Sequence, residues 1–443
     1  MTQLVSESAS LGAKKYVHLA RTSPSKHESR QDDAALVFIQ SRLPEAAVNR
    51  TTIQSFKPIC SLILSGLLTT GLLAAPAAKN PPPPPASGTF VYTGSLNVAR
   101  YNHTATLLPS GDVLVVGGIG VNGAYTSFAS AELYNPKTGK WTLTGSMSVG
   151  RTDFTATLLA NGEVLVAGGT DYEINCYATA ELYNPSTGQW TLTGSMTQPR
   201  CLHSATLLPD GEVLVSGGVN GVYSTNTATV SASEIYNPET GRWTATGSLN
   251  VSRAEAATLL LDVGEVLSAG GYNNTGNNAQ NTYLTSAELY DPSTQAWTLT
   301  SSFSAGVGLP TPPALLTNGD ALIANDAQFY TPGSATWSAT GPIPTVAQPP
   351  TKAVALGNSN VLATGCQCKT TNPNYPCGFG PTNFAYLYSF SGNTWSLTGR
   401  MNFARFYHTM TLLSNGDVLV AGGFYRSPMN NTEVLNTAEL YTP

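Results

Sequence analysis

Short apolar runs of four or five residues alternate with polar turns over most of the chain, and they return at intervals of about fifty residues. The segment Arg100-Tyr101-Asn102-His103-Thr104-Ala105-Thr106-Leu107-Leu108 is echoed by Arg200-Cys201-Leu202-His203-Ser204-Ala205-Thr206-Leu207-Leu208. A second run, Val113-Leu114-Val115-Val116, ends in Gly117-Gly118, and its counterpart Val213-Leu214-Val215-Ser216 ends in Gly217-Gly218. Runs this short, rich in β-branched residues and bounded by Gly, Pro, Asn and Asp, predict strands. Pro109-Ser110-Gly111-Asp112 and Asn135-Pro136-Lys137-Thr138-Gly139-Lys140 predict the hairpin turns between them, with Gly supplying a positive φ. Each repeat therefore holds four strands: Thr-Ala-Thr-Leu-Leu, Val-Leu-Val, Ala-Glu-Leu-Tyr and a strand around Trp.

The spacing counts the repeats. From an opening Arg to the first Gly of a pair is 17 residues five times: 100 to 117, 151 to 168, 200 to 217, 253 to 270 and 405 to 422. The fourth-strand Trp occurs six times, at 141, 190, 243, 297, 337 and 395. The third-strand Tyr occurs seven times, at 134, 183, 236, 290, 330, 388 and 441. The last repeat therefore lacks a fourth strand, and Gly88-Thr89-Phe90-Val91-Tyr92-Thr93-Gly94 supplies one, with Phe90 in the Trp slot. A ring latched in this way leaves no open sheet edge between its ends. Four strands per repeat and seven repeats predict an all-β, seven-bladed β-propeller over residues 88–443.

The paired glycines, third-strand Tyr and fourth-strand Trp resemble the kelch family, here in the manner of an exported bacterial member, and the resemblance spans 88–443. It implies a seven-bladed kelch-type propeller and says little about function, because this scaffold hosts many. Kelch domains include protein-binding modules, sugar-processing enzymes and the central domain of copper radical oxidases such as galactose oxidase.

Residues 1–78 read as a leader containing a signal peptide. An apolar stretch at about 59–73, preceded by Arg50 and Lys57, ends in Ala75-Pro76-Ala77, an A-x-A cleavage signal. At 15 residues it falls short of the roughly 20 needed to cross a bilayer, so no stable span is expected after cleavage. Residues 1–47 are long for the start of such a leader; an early start codon or an atypical leader would each account for them. Residues 79–87 contain Pro81 to Pro85 and form a stiff linker. The expected location is outside the cell or in its envelope.

Charge narrows the partners. Only 11% of residues are charged and the net charge is −5, without the basic face a nucleic-acid partner requires. An exported chain favours disulfides. Cys176 and Cys201 fall on one rim of adjacent blades, where a bridge is expected. Cys366, Cys368 and Cys377 share a loop of blade six, with one pair expected to include Cys377 and one thiol of the five left free or paired between chains.

The opening Arg and a third-strand Glu vary together. Arg100, Arg151, Arg200, Arg253 and Arg405 accompany Glu132, Glu181, Glu234, Glu288 and Glu439, whereas Gly308 and Gln348 accompany Gln328 and Tyr386. That pattern points to buried ion pairs, although general decay of blades five and six would produce it as well. The second-to-third loops vary most in length and share a rim with the blade crossovers, which makes that rim the expected binding face. By resemblance, partner contacts lie two residues after the Arg and just after the glycine pair: Asn102, Asp153, Glu255, Tyr407, Tyr272 and Phe424. The same residues would otherwise only cap the channel. His103, His203 and His408 occupy one repeat position and raise a metal site, against the alternative of a histidine capped by a backbone carbonyl. Tyr407-His408 also matches the adjacent Tyr-His copper ligands of galactose oxidase, while the family's other two ligands have no counterpart.

The reading is a monomeric, cofactor-free binding propeller for a glycan or protein ligand. The alternative is a carbohydrate-active enzyme, epimerase- or oxidase-like, using rim carboxylates such as Asp153 and Glu255 or a partial copper site. A wall spacer without a ligand is a third class.

Overall fold

The computed structural model describes residues 88–443 apart from 123, 172–174, 222–227, 277–280, 305–311, 345–349, 366–381 and 427–431. The leader and linker lie outside the described residues, as do Cys366, Cys368 and Cys377. Among the described residues, no helix is long and apolar enough to cross a membrane.

The described residues form seven four-stranded antiparallel sheets. Blade one shows the pattern, with strands Thr104–Leu107, Val113–Val116, Ala131–Asn135 and Lys140–Thr144 running from the centre outward. The innermost strands pack side by side, so that of blade one touches those of blades two and seven. Blade seven joins the two ends of the ring: Thr89–Tyr92 pairs with Ala438–Thr442. Phe90 lies opposite Tyr441, as Trp190 lies opposite Tyr183 in blade two. Their rings stand 4.8 Å apart, so the N-terminal strand fills the Trp slot both in register and in packing.

Apolar side chains from facing sheets fill each seam. Leu114 and Val116 of blade one meet Val164, Val166 and Tyr183 of blade two. Polar groups then rivet the blades together. The Tyr183 hydroxyl lies 2.8 Å from Thr144 Oγ1 of blade one, and Trp190 Nε1 donates to Gly145 O at 2.8 Å. The same Tyr–Thr contact joins Tyr134 to Thr93, Tyr236 to Thr193, Tyr290 to Thr246, Tyr330 to Thr300 and Tyr441 to Thr398. A buried hydroxyl with a partner avoids the desolvation penalty, so each Tyr both packs and locks its seam.

Each opening Arg meets its Glu within the blade. Arg405 Nη2 lies 2.6 Å from Glu439 Oε1, and the corresponding pairs in blades one to four span 2.7–3.0 Å. Arg100 also donates to Gly117 O and Ser130 O, while Glu132 accepts from the backbone N–H groups of Asn97 and Val98. The pair thereby ties the blade crossover to the second and third strands. Each Arg is fully buried, so the pair serves the blade from within.

Candidate functional site at the channel mouth

The crossover into each regular blade makes one antiparallel bridge before the innermost strand begins. Tyr101 pairs with Ile119, Thr152 with Thr170, Cys201 with Val219, Ala254 with Tyr272, and Phe406 with Phe424. The glycine pair permits this approach: a Cβ on Gly118 would stand 2.6 Å from Tyr101 O and 2.8 Å from His103 Cβ. The residue after each bridge then turns the chain into the strand. Asn102, Asp153, Leu202, Glu255 and Tyr407 all adopt φ between 53° and 55°. This left-handed region suits Asn and Asp but strains Leu, Glu and Tyr by roughly 1–2 kcal/mol.

These turns are bonded to one another around the mouth. Asn102 N donates to Tyr407 O at 3.0 Å, Leu202 N to Asp153 O at 3.0 Å, and Glu255 N to Leu202 O at 2.9 Å. Between blades one and two the link is made by side chains, with Asn102 Nδ2 donating to Asp153 Oδ1 at 2.5 Å and Thr152 Oγ1 at 3.1 Å. The mouth is therefore a rigid belt with one variable side chain per regular blade. Strain of this kind gathers where the surrounding structure fixes it, often at binding sites.

Of the six residues expected to contact a partner, Asn102, Asp153, Glu255 and Tyr407 share this belt. Tyr272 and Phe424 sit on the adjoining bridges. Two electrostatic regions result. On the side of blades seven and one, Tyr101 lies 5.3 Å from Phe424 and 6.2 Å from Tyr407, while Phe406 lies 4.8 Å from Phe424. On the other side, Asp153 and Glu255 are partly exposed to the mouth but closely surrounded by protein. Burial raises Asp153 to about 6, against a hydrogen bond from Asn102 that lowers it. Burial and then the charge of Asp153 raise Glu255 to about 7, and Lys352 opposes both. Burial raises the Tyr272 hydroxyl further still, with the two carboxylates adding to it.

Lys352 is a residue that repeat reasoning passed over. It opens the innermost strand of blade six, where other blades carry Thr104, Thr155, Ser204, Ala257 and Thr409. Burial lowers its ammonium and Glu255 raises it. A signal was present: aligning the repeats on the glycine pair puts one cation in a slot of small polar or apolar residues.

The three histidines do not converge. His103 Nε2 lies 3.0 Å from Thr409 Oγ1, His203 Nε2 3.1 Å from Thr155 Oγ1, and His408 Nε2 2.8 Å from Thr364 Oγ1. Each ring crosses a different seam and packs beside the glycines of the preceding blade, at Gly422, Gly168 and Gly365. A threonine hydroxyl thus meets Nε2 in each, and at His408 the Arg405 backbone adds a hydrogen bond. Burial holds all three far down the scale, His203 at about 3. Among the described residues no cluster of three His, Cys, Asp or Glu side chains is placed to hold a metal. In the Tyr407-His408 pair Tyr407 is 39% exposed, whereas His408 is fully buried with Nε2 against Thr364 Oγ1.

Cys176 and Cys201 form a disulfide with Cα atoms 5.4 Å apart, tying the blade-two loop to the belt beside Leu202.

The Kelch motif family matches residues 99–148, 154–197 and 264–304, which correspond to blades one, two and four. Together with the seven four-stranded blades of the described residues, these matches identify the family. The chain is a kelch-repeat β-propeller. A search of curated proteins found no match. In this kelch propeller the hallmark residues, Tyr, Trp and the glycine pair, all serve the seams and crossovers. The residues free to vary are those of the belt and the loops beside it.

Proposed function

We propose that this kelch propeller is an exported binding module that engages a protein partner through the variable-loop rim. The observation that carries the reading is the belt, which displays one unrelated side chain per regular blade in a fixed, strained conformation beside the Tyr101–Phe424–Tyr407 aromatic group. Rigid aromatic side chains supply much contact area at little entropic cost, and they dominate protein interfaces. Kelch propellers typically serve protein interaction, which supports the same class.

Peptide display and a glycan array, each run with wild type and Tyr407→Ala, test the reading. Selection of a peptide consensus that Tyr407→Ala loses is the expected result. A ligand found only on the glycan array would move the partner class to carbohydrate, since the same aromatic faces stack on sugars. Equal binding by the variant would remove the rim from the account. Export rests on the apolar stretch at 59–73 and Ala75-Pro76-Ala77; N-terminal sequencing of the secreted protein should begin near Ala78.

One observation favours a second reading, a carbohydrate-active enzyme. The charge of Asp153 reaches Glu255, and burial raises the two carboxyls to about 6 and about 7, toward the range that general acid–base residues use. Turnover of a sugar abolished by Glu255→Gln would establish it.

A further inference from the structure

Among the described residues, arginine lies over an aromatic ring three times. The Arg100 guanidinium carbon stands 5.6 Å from the centre of the Phe128 ring and that of Arg151 5.1 Å from the Tyr177 ring, while each Arg also pairs with the Glu of its blade. Arg400 stands 4.5 Å from the Phe384 ring. A guanidinium suits both contacts at once, because its flat, weakly hydrated face stacks on a ring while its edge donates to a carboxylate. The channel mouth carries the same two components. Tyr407 is exposed and forms one aromatic group with Tyr101 and Phe424, whose centroids stand 6.2 Å (Tyr101–Tyr407) and 5.3 Å (Tyr101–Phe424) apart. Asn102 ties this group to a carboxylate. Its backbone N–H donates to Tyr407 O at 3.0 Å and its Nδ2 to Asp153 Oδ1 at 2.5 Å, so Tyr407, Asn102 and Asp153 are successive neighbours along the belt. Asp153 is partly exposed and Asn102 occupies only Oδ1, which leaves Oδ2 for a donor from outside. The opening cations of these blades are engaged beneath, with Arg100, Arg151 and Arg405 fully buried against Glu132, Glu181 and Glu439.

We propose that the protein partner anchors on this arc with an arginine, whose guanidinium lies against the Tyr407–Tyr101–Phe424 surface and donates to Asp153. The proposal rests on the protein-binding reading above and names the chemistry of its anchor. Charge and desolvation select that residue. A purely apolar anchor would cover the rings and leave the neighbouring carboxylate desolvated without a donor. An acidic anchor would bring like charge against Asp153. A lysine would meet the carboxylate as a point charge, without the planar face that matches the rings.

Selection of random displayed peptides on the whole protein, followed by calorimetry of the consensus peptide, tests the proposal. The consensus is expected to contain an arginine. The synthetic peptide should bind wild type about tenfold more tightly than the same peptide with glutamine in place of that arginine, the worth of one charge-assisted hydrogen bond. This comparison needs no protein variant. Asp153→Asn should erase the preference while keeping the remaining affinity, and Asn tolerates the left-handed turn at this position, so the fold is kept. Tyr407→Ala should weaken both peptides. Melting temperatures of the two variants, expected within a few degrees of wild type, separate loss of the contact from loss of the fold. A consensus without arginine that still depends on Tyr407 would overturn the proposal and leave the binding rim standing. Equal binding of the two peptides, or a preference that survives Asp153→Asn, would overturn it as well. Selection of no peptide would overturn both this proposal and the peptide-binding rim.

Discussion

Blades one to four and seven differ from blades five and six in what holds their crossovers, and less in what holds their sheets. All seven keep four strands, and all keep a third-strand Tyr beside a fourth-strand aromatic: Tyr330 stands 5.2 Å from Trp337 and Tyr388 5.0 Å from Trp395. The buried Arg and Glu are gone from blades five and six, with Gln328 and Tyr386 in the Glu position. The blade sheet is therefore specified by seam packing, and the ion pair specifies the crossover. The belt changes with it. Where regular blades place a left-handed residue, blades five and six have Pro310 and Pro350. Proline is locked near φ −65°, so the left-handed turn is closed to Pro350 and the belt cannot continue through it. Lys352 follows this break at the start of the blade-six innermost strand, and in blade five Asn325-Asp326 replaces the glycine pair, with burial raising Asp326 to about 7. The regular blades pair a buried Arg with a buried Glu at their crossovers, and the irregular ones lack that pair.

Removing one member of a regular pair is the strongest way to break this contrast. Arg200→Met leaves the Glu234 carboxylate buried without its cation and should cost about 3–5 kcal/mol. Gln328→Ala, at the matching position of blade five, loses one long hydrogen bond from Ser304 N and should cost only about 1 kcal/mol. Chemical denaturation of both variants checks the pair, and similar costs would refute the distinction. Next in size is the closure. Phe90→Ala empties an aromatic slot against Tyr441 and should lower stability by about 3 kcal/mol, showing that a regular blade assembled from both chain ends still depends on its seam. A thermal shift within a degree of wild type would contradict this.

A pH titration of stability probes the mouth. Asp153 and Glu255 have folded-state values raised to about 6 and about 7, above those of the unfolded chain. The folded state thus holds their protons more tightly, and the stability this gives is fully present below about pH 4 and declines as pH rises to about 7. Glu255→Gln should flatten that decline. Lys352→Met removes the one influence that lowers Glu255 and should push the decline to higher pH, which links the irregular blade to the regular one. The smallest effect concerns backbone strain. Leu202→Asn replaces a residue that resists the left-handed turn with one that tolerates it, and should raise stability by up to about 1 kcal/mol. A loss on denaturation would show that Leu202 packing outweighs its strain.

Most of the architecture could be read from the chain, because each repeat writes its own strands, turns and seam residues locally. The blade number, the Phe90 latch and the Arg–Glu partnership follow from spacing and from residues that vanish together. Histidine chemistry was harder to read. A shared repeat position placed His103, His203 and His408 on three separate seams of the ring, because equivalence by rotation is the opposite of proximity. The belt was legible as positions only. That Asn102, Asp153, Leu202, Glu255 and Tyr407 are left-handed depends on the crossover bridge and on the glycine pair packed against it, contacts made in three dimensions. Lys352 shows the limit most clearly. Its neighbours in sequence are ordinary strand residues, and its meaning comes from Glu255, two blades away. Periodicity is a property of the chain and sets the number and order of the blades. Desolvation and the distances between charges are properties of the closed ring, and these decided which side chains face one another at its mouth.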